Sequence, residues 1–225
     1  MTPHCRGGET RTGWRDANRP SARLTAALPK VAICFPSADM VHADFALALA
    51  GLCNATPPLE TPIVNNKSSI VAAARNDGVR RARELGCDCV LFLDSDMTFP
   101  RTTLHRLLVH REAIVGATYV KRVAPFALLG SALEPHPTAD ARGLTEMRRI
   151  PTGCLLIRMS VFDALAKPYF RYGADEAGGE IVGEDYVFCD RAREAGFRIW
   201  CDATLSLEIA HLGLQACRVP GAPAA

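Results

Sequence analysis

The chain has 225 residues, of which 48% are hydrophobic and 22% are charged, and its formal net charge is +2 at pH 7. This composition is typical of one globular domain. The near-zero net charge and the absence of a basic block argue against nucleic acid as a partner. Every apolar run is far shorter than the ~20 residues that cross a bilayer, so we predict no transmembrane segment.

The first 28 residues are rich in Arg, Gly, Pro, Thr and Asp and have no apolar periodicity, and the stretch 219–223 (VPGAP) is similar in having no such pattern. We predict a disordered tail over residues 1–28, a folded domain over 29–213 and a flexible tail over 214–225.

Nine cysteines are present, but their spacing does not indicate a metal knuckle. Cys34, Cys89 and Cys154 lie inside apolar, strand-like runs, and Cys87 is separated from Cys89 by one residue, whereas zinc knuckles have two. We interpret the cysteines as buried small hydrophobic residues of a cytoplasmic protein in a reducing environment.

In chain order, the predicted elements alternate between short apolar strands and amphipathic helices. The predicted strands cover 31–35, 61–64, 89–93, 113–117, 127–133, 144–149, 153–158 and 197–201. The predicted helices cover 41–52, 69–85, a segment from about 100 to 108, 160–166 and 184–195. This order predicts an α/β fold with a mostly parallel central sheet flanked by helices, and a short antiparallel sheet in the later part.

The most informative motif is Asp94-Ser95-Asp96, which follows the apolar run 89–93. A run of this kind predicts a buried parallel strand, and ligand sites of α/β sheets collect at the carboxyl ends of such strands. Two carboxylates one residue apart can hold Mg²⁺ or Mn²⁺. The alternative is a polar turn that leads into the next helix, since Asp and Ser also favour turns.

Three further segments have side chains or flexibility that could form an active site together with the Asp94–Asp96 turn. His211 is a candidate metal ligand, although a lone histidine more often has a plain structural role. Asp185, preceded by Glu184, is a candidate general base at the start of a helix; the alternative is an acidic first turn that the helix dipole favours. The glycine-rich segment 172–183 before them could be a lid or a simple connector.

Two cationic positions could contact phosphates. Arg75, in the middle of the second predicted helix, could reach a nucleotide or phosphate with its guanidinium, or could be solvated. Lys121 and Arg122 follow the fourth predicted strand and could face phosphates or solvent. Neither a Walker loop nor a G-x-G-x-x-G motif follows the first strand, which argues against P-loop kinases and Rossmann dehydrogenases.

Taken together, four segments resemble the glycosyltransferases of the GT-A fold, in particular family-2-like members. The segment 90–97 (VLFLDSDM) resembles their D-x-D strand, and 151–158 (PTGCLLIR) resembles their acceptor-side strand. The segment 183–189 (GEDYVFC) resembles the E-D helix, and His211 resembles a late metal-binding histidine. The order of the four segments matches the family.

On the donor side, the resemblance implies a nucleotide-diphosphate sugar and a divalent cation, Mn²⁺ or Mg²⁺. Asp94, Asp96 and His211 are the implied metal set, with Asp94 also toward the nucleotide. The cation would stabilise the leaving diphosphate. The family's P-x-Y-N segment is absent after the first strand, so Asp39 is only a candidate contact for the base or ribose.

On the acceptor side, the resemblance implies an inverting displacement with Asp185 as base and Glu184 in support or on the acceptor. Thr152 and Gly153 would line the cleft, where small residues let a substrate approach the backbone. The acceptor would be a glycan, a lipid-linked or a protein hydroxyl. A late histidine is frequent in retaining enzymes and an E-D base in inverting ones, so both stereochemical outcomes stay open.

Two other functions remain as alternatives. A sugar-phosphate nucleotidyltransferase can share such a sheet, but it normally has a Gly- and Arg/Lys-rich loop after its first strand, and residues 36–40 have none. A catalytically degenerate sugar-binding module is the other alternative, against which the intact Asp94, Asp96, Asp185 and His211 argue.

Overall fold

The computed structural model describes residues 28–133, 139–175, 178–213 and the backbone of 216–217. This part of the chain forms one large mixed β-sheet, two small antiparallel sheets and six helices. The strands are β1 (Val31–Ser37), β2 (Ile63–Lys67), β3 (Cys89–Leu93), β4 (Met97–Thr98), β5 (Ile114–Gly116), β6 (Ser131–Ala132), β7 (Leu144–Arg149), β8 (Cys154–Arg158), β9 (Gly173–Ala174), β10 (Ile181–Val182), β11 (Ile199–Asp202), β12 (Ala210–Leu212) and β13 (Ala216–Cys217). The helices are α1 (Ala43–Ala55), α2 (Val71–Glu84), α3 (Thr103–Val109), α4 (Met159–Ala164), α5 (Glu184–Glu194) and α6 (Ala203–Ser206).

The central sheet has eight strands in the order β2-β1-β3-β8-β5-β11-β7-β6. The pairs β2–β1, β1–β3 and β5–β11 are parallel, and the other four pairs are antiparallel. The predicted α/β fold is confirmed, but the central sheet is mixed and not mostly parallel, in part because β8 lies inside it, antiparallel to β3 and β5, and not in a separate sheet. Its residues Cys154 to Ile157 are all buried, and burial on both faces suits the middle of a sheet.

Side chains alternate between the two faces of the sheet and define two cores. Along β3, Val90 and Phe92 pack with residues of α2, α4 and α5 on one face. On the other face, Leu91 and Leu93 pack with residues of α1, α3 and α6. The continuous apolar runs of the sequence therefore correspond to strands buried on both faces, as predicted for the run that forms β3.

Several element boundaries differ from the predicted ones. Helix α2 begins at Val71, because the Ser68 hydroxyl accepts a hydrogen bond from Ile70 N (3.1 Å) in the preceding turn and does not cap the helix. Helix α3 begins at Thr103, after a turn that follows Pro100. The strand predicted over 127–133 is reduced to β6, and none of its residues is buried.

The predicted tails fall largely outside the described residues, which begin at Leu28 and, after residue 213, include only 216–217. There β13 pairs with β12. The seven described cysteines are all free thiols. Burial raises the pKa of Cys34 and Cys189 to about 12, as expected for cysteines that act as hydrophobic residues. Within the described ranges, no helix is long and apolar enough to cross a membrane.

Candidate active site

The Asp94–Asp96 turn lies at the carboxyl end of β3 and is held by a hydrogen bond of its own and by hydrogen bonds to Gly153 and Leu212. Asp94 N donates a hydrogen bond to the Gly153 carbonyl (3.0 Å), and Met97 N donates to the Asp94 carbonyl (3.2 Å). The Asp96 carbonyl accepts a bond from Leu212 N (2.7 Å) on β12, which pairs with β4 in a small antiparallel sheet. The backbone of the turn is therefore fixed, and the two carboxylates point to different partners.

Asp94 pairs with a buried arginine that also contacts the start of α5. The Arg75 side chain is only 4% exposed, so the solvated alternative is wrong for this residue. Its Nη2 lies 3.0 Å from Asp94 Oδ1, and its Nε lies 3.3 Å from Glu184 Oε1. Burial by itself would lower the pKa of the guanidinium, but the two carboxylates outweigh it and raise the pKa. Arg75 therefore stays charged and joins two acidic motifs that are distant in sequence.

The position of Arg75 changes its predicted role. It lies among the residues that α2 buries, with Ala72, Ala74 and Gly78. A charged residue on the apolar face of a helix was a sequence signal for such burial. This buried position does not favour direct contact between Arg75 and a nucleotide. Arg75 instead acts through the carboxylates of Asp94 and Glu184.

Asp185 has the electrostatic property that a general base requires. It lies in the first turn of α5, and its Oδ1 accepts a hydrogen bond from Tyr186 N (2.8 Å). Burial, together with the negative charge of Glu184, raises the pKa of Asp185 to about 6, although Arg75 opposes the shift. A carboxylate with this pKa is ionised at neutral pH and is a stronger proton acceptor than an ordinary aspartate.

The second carboxylate of the turn belongs to a different cluster. Asp96 Oδ2 lies 2.7 Å from Arg122 Nη1 and 3.5 Å from His211 Nε2. His211 Nδ1 lies 3.0 Å from the Val120 carbonyl, which fixes Nδ1 as the donor and leaves Nε2 without a proton in the neutral ring. Burial would raise the pKa of Asp96, but His211 and Arg122 outweigh it and lower the pKa, so this carboxylate is ionised.

Tyr119 lies between two clusters, one formed by Asp94, Arg75 and Glu184 and the other by Asp96, Arg122 and His211. The sequence did not predict Tyr119 as a site residue. Its buried hydroxyl accepts a hydrogen bond from Gly153 N (3.0 Å), and its ring packs edge-on against His211, with the centroids 5.1 Å apart. A Cβ placed on Gly153 would lie 2.2 Å from Tyr119 Oη and 2.8 Å from Asp94 Oδ2. Gly153 is therefore required for this packing, and the close approach predicted for a substrate is made by Tyr119 and Asp94.

The remaining predicted residues lie at the periphery or beneath the site. Asp39 follows β1 at the same sheet edge, but its side chain is 93% exposed and pairs with Lys67 (3.2 Å). Lys121 is exposed, and its backbone N–H donates to the Ala127 carbonyl (2.9 Å). Thr152 is 1% exposed, and its hydroxyl has no hydrogen-bond partner among the residues that the structure describes, so it is available to a bound group or a water molecule.

The predicted set of three metal ligands is not assembled. Among the described residues, no group of three or more His, Cys, Asp or Glu side chains converges to hold a metal ion. Asp94 faces Arg75, because the buried guanidinium attracts it. Asp96 and His211 do converge. A carboxylate oxygen suits Mn²⁺ or Mg²⁺ and an imidazole nitrogen suits a transition metal, so the two could hold Mn²⁺ when substrate phosphates and water complete the coordination.

Comparison with known proteins identifies a fold but no family. No protein-family model matches the chain, and no curated protein is similar to it at a significant level. Among solved structures, the crystal structure of A197 from STIV is similar, with a TM-score of 0.57, 16% sequence identity, and coverage of 82% of this chain and 86% of A197. At this identity the similarity shows a shared α/β fold.

Proposed function

We propose that the chain is a metal-dependent glycosyltransferase of the GT-A type, which moves one sugar from a nucleotide-diphosphate donor to an acceptor hydroxyl. One observation carries the proposal. Arg75 joins Asp94, at the end of β3, to Glu184, beside Asp185 at the start of α5. Two acidic motifs that have different roles in such an enzyme are thereby held in one site.

The donor half of the site consists of Asp96 and His211, which would hold the cation. When bound, a divalent cation supplies positive charge to the diphosphate as the nucleoside diphosphate leaves. Val120 supports this role, because its carbonyl orients the His211 ring so that Nε2 faces Asp96. Asp94 would orient the nucleotide from the other side of the turn.

The acceptor half centres on Asp185. Its carboxylate would take the proton of an acceptor hydroxyl while that oxygen forms a bond to the anomeric carbon and the bond to the diphosphate breaks. A single displacement of this kind inverts the configuration at the anomeric carbon, and the raised pKa of Asp185 supports it over the retaining alternative. Glu184 is buried against Arg75, which favours its supporting role over contact with the acceptor.

The proposed acceptor is a hydroxyl group of a glycan, of a lipid-linked molecule or of a protein. A cytoplasmic location is supported by the free, buried thiols, since these survive in a reducing compartment.

A thermal-shift screen of nucleotide sugars with and without Mn²⁺ tests the proposal. A donor at 100 times its dissociation constant stabilises the native state by about 2.7 kcal/mol, which is a measurable rise in Tm. We expect one class of nucleotide sugar to raise Tm in the presence of Mn²⁺ and much less in EDTA. If UDP-, GDP- and the other nucleotide sugars all leave Tm unchanged with Mn²⁺ present, the proposed donor class is wrong.

A further inference from the structure

Arg122 lies on the segment after β5 and contacts the carboxylate that would hold the cation. Its Nη1 is 2.7 Å from Asp96 Oδ2, the same oxygen that His211 Nε2 approaches at 3.5 Å. The Arg122 side chain is 50% exposed and that of Asp96 is 31% exposed. One carboxylate oxygen therefore already has a cationic partner where a metal ion would bind.

The stem of Arg122 is more fixed than its head. A Cβ placed on Gly213, two residues after His211, would lie 3.4 Å from Arg122 Cβ and 3.7 Å from its Cγ, so the stem packs along the end of β12. The guanidinium at the end of this stem is half exposed. A long side chain anchored at its base and exposed at its head can exchange one anionic partner for another within its reach.

Two cations cannot both lie within contact distance of Asp96 Oδ2 without strong repulsion between them. A divalent ion that binds between Asp96 Oδ2 and His211 Nε2 therefore repels the guanidinium from the same oxygen, and its binding favours release of Arg122. The released head stays beside the same turn, where the donor's diphosphate would lie, and a planar guanidinium binds phosphate oxygens in a bidentate manner.

We infer that Arg122 occupies Asp96 in the free protein and moves to the diphosphate of the donor when the cation binds. Arg122 would thus contact the leaving group and would also keep Asp96 from binding cations when no donor is present. This inference rests on the proposed function and adds a substrate-contacting residue to it.

The neighbouring Lys121 does not fit this role. Its side chain is exposed, and no ion pair of Lys121 is found within the described residues. Of the two adjacent cations that the sequence offered as phosphate contacts, the structure places only Arg122 on Asp96.

The inference predicts effects of opposite sign on two ligands. Mn²⁺ alone should bind the Arg122→Gln variant about 2–5-fold more tightly than it binds the native protein. The reason is that the variant lacks the ion pair that competes for Asp96, and an ion pair at the surface contributes about this much. The EPR signal of the free ion measures this binding. Pre-formed Mn²⁺-pyrophosphate, followed by calorimetry, should bind about tenfold more weakly or worse, because a charge-assisted contact is lost.

Two further variants locate these effects. Arg148→Gln removes one charge from an exposed arginine on β7 and should change neither affinity by more than about twofold, which controls for net charge. Asp96→Asn should weaken Mn²⁺ binding strongly in both the native and the Arg122→Gln backgrounds, and should remove the difference between them.

The outcomes separate the inference from the proposed function. Unchanged or weaker Mn²⁺ binding in Arg122→Gln overturns the competition for Asp96, and unchanged binding of Mn²⁺-pyrophosphate overturns the contact with the leaving group. In either case, Mn²⁺ binding that still depends on Asp96 leaves the proposed metal site standing. Absence of Mn²⁺ binding in the native protein and in Arg122→Gln, each at millimolar metal, overturns both.

Discussion

Arg75 Nη2 lies 3.0 Å from Asp94 Oδ1, and this buried pair connects helix α2 to the end of strand β3. The same guanidinium reaches Glu184 at 3.3 Å. The partly buried carboxylate of Asp94 and the buried carboxylate of Glu184 share one cation, so the geometry of the site and the stability of the domain are coupled at Arg75.

Replacement of Arg75 by Met should therefore be strongly destabilising. The change leaves two partly or fully buried carboxylates without their counter-charge, and breaking a buried pair in this way costs about 3–5 kcal/mol. Urea unfolding of the variant measures this loss. The matched control is Arg80→Met on the same helix, where the pairs with Asp77 and Glu84 are exposed, so that their loss should change the free energy of unfolding little. Equal effects of the two changes would contradict a special role for Arg75.

Asp185→Asn should stabilise the protein at pH 8 and have little effect at pH 4. The pKa of Asp185 is raised in the fold to about 6, whereas an unfolded aspartate titrates near 4. Its ionised form is thus disfavoured in the fold, and the stability that the protonated form provides is lost as pH rises from about 4 through 6. The Asn variant keeps that stability, by about 2–3 kcal/mol at pH 8. Chemical denaturation at both pH values measures it, and a gain at pH 4 as large as that at pH 8 would speak against the raised pKa.

The same residue should set the pH dependence of transfer. A general base works when it is ionised, so kcat/KM should rise with pH up to about 6 and stay level above it. Asp185→Asn should lower kcat about 10²–10⁴-fold while donor affinity is largely kept. Steady-state kinetics from pH 5 to 8, with a donor-binding measurement on the variant, check both statements. A defect limited to donor affinity would exclude the base.

Gly153→Ala should disturb the site through Tyr119. The added methyl group would lie 2.2 Å from the Tyr119 hydroxyl and 2.8 Å from Asp94 Oδ2, so at least one of these groups must move. Overpacking of this kind costs about 1–3 kcal/mol, and loss of the hydrogen bond from Gly153 N adds to it. Gly179→Ala, where nothing lies within 4 Å of the added Cβ, is the control. Thermal unfolding of both variants should show a fall in Tm for the first and almost none for the second.

The sequence predicted which segments carry the site better than it predicted the contacts between them. Asp94 and Asp96 could be placed at a strand end because the apolar run before them is continuous and short. The sequence could not predict that Asp94 and Asp96 face different partners, since this depends on Arg75 on one side of the turn and Arg122 on the other. Both arginines meet their partners only through the packing of distant segments.

Tyr119 shows the same limit more plainly. No local pattern marks an aromatic residue that follows a strand as a site residue, and its importance arises from Gly153 and His211, which the fold brings against it. The position of β8 inside the central sheet was likewise beyond local patterns, because an apolar strand can join a sheet in either direction. Burial on both faces was the only available hint.

Release of nucleoside diphosphate from a nucleotide-sugar donor tests the central claim most directly. The assay compares the native chain and Asp96→Asn, each with Mn²⁺ and with EDTA, over the UDP- and GDP-sugars. We expect one donor to be turned over by the native protein with Mn²⁺, with activity reduced at least 100-fold by EDTA or by Asp96→Asn, since the cation and its carboxylate stabilise the leaving group. Turnover of the same donor by Asp96→Asn at the native rate would contradict the proposed site.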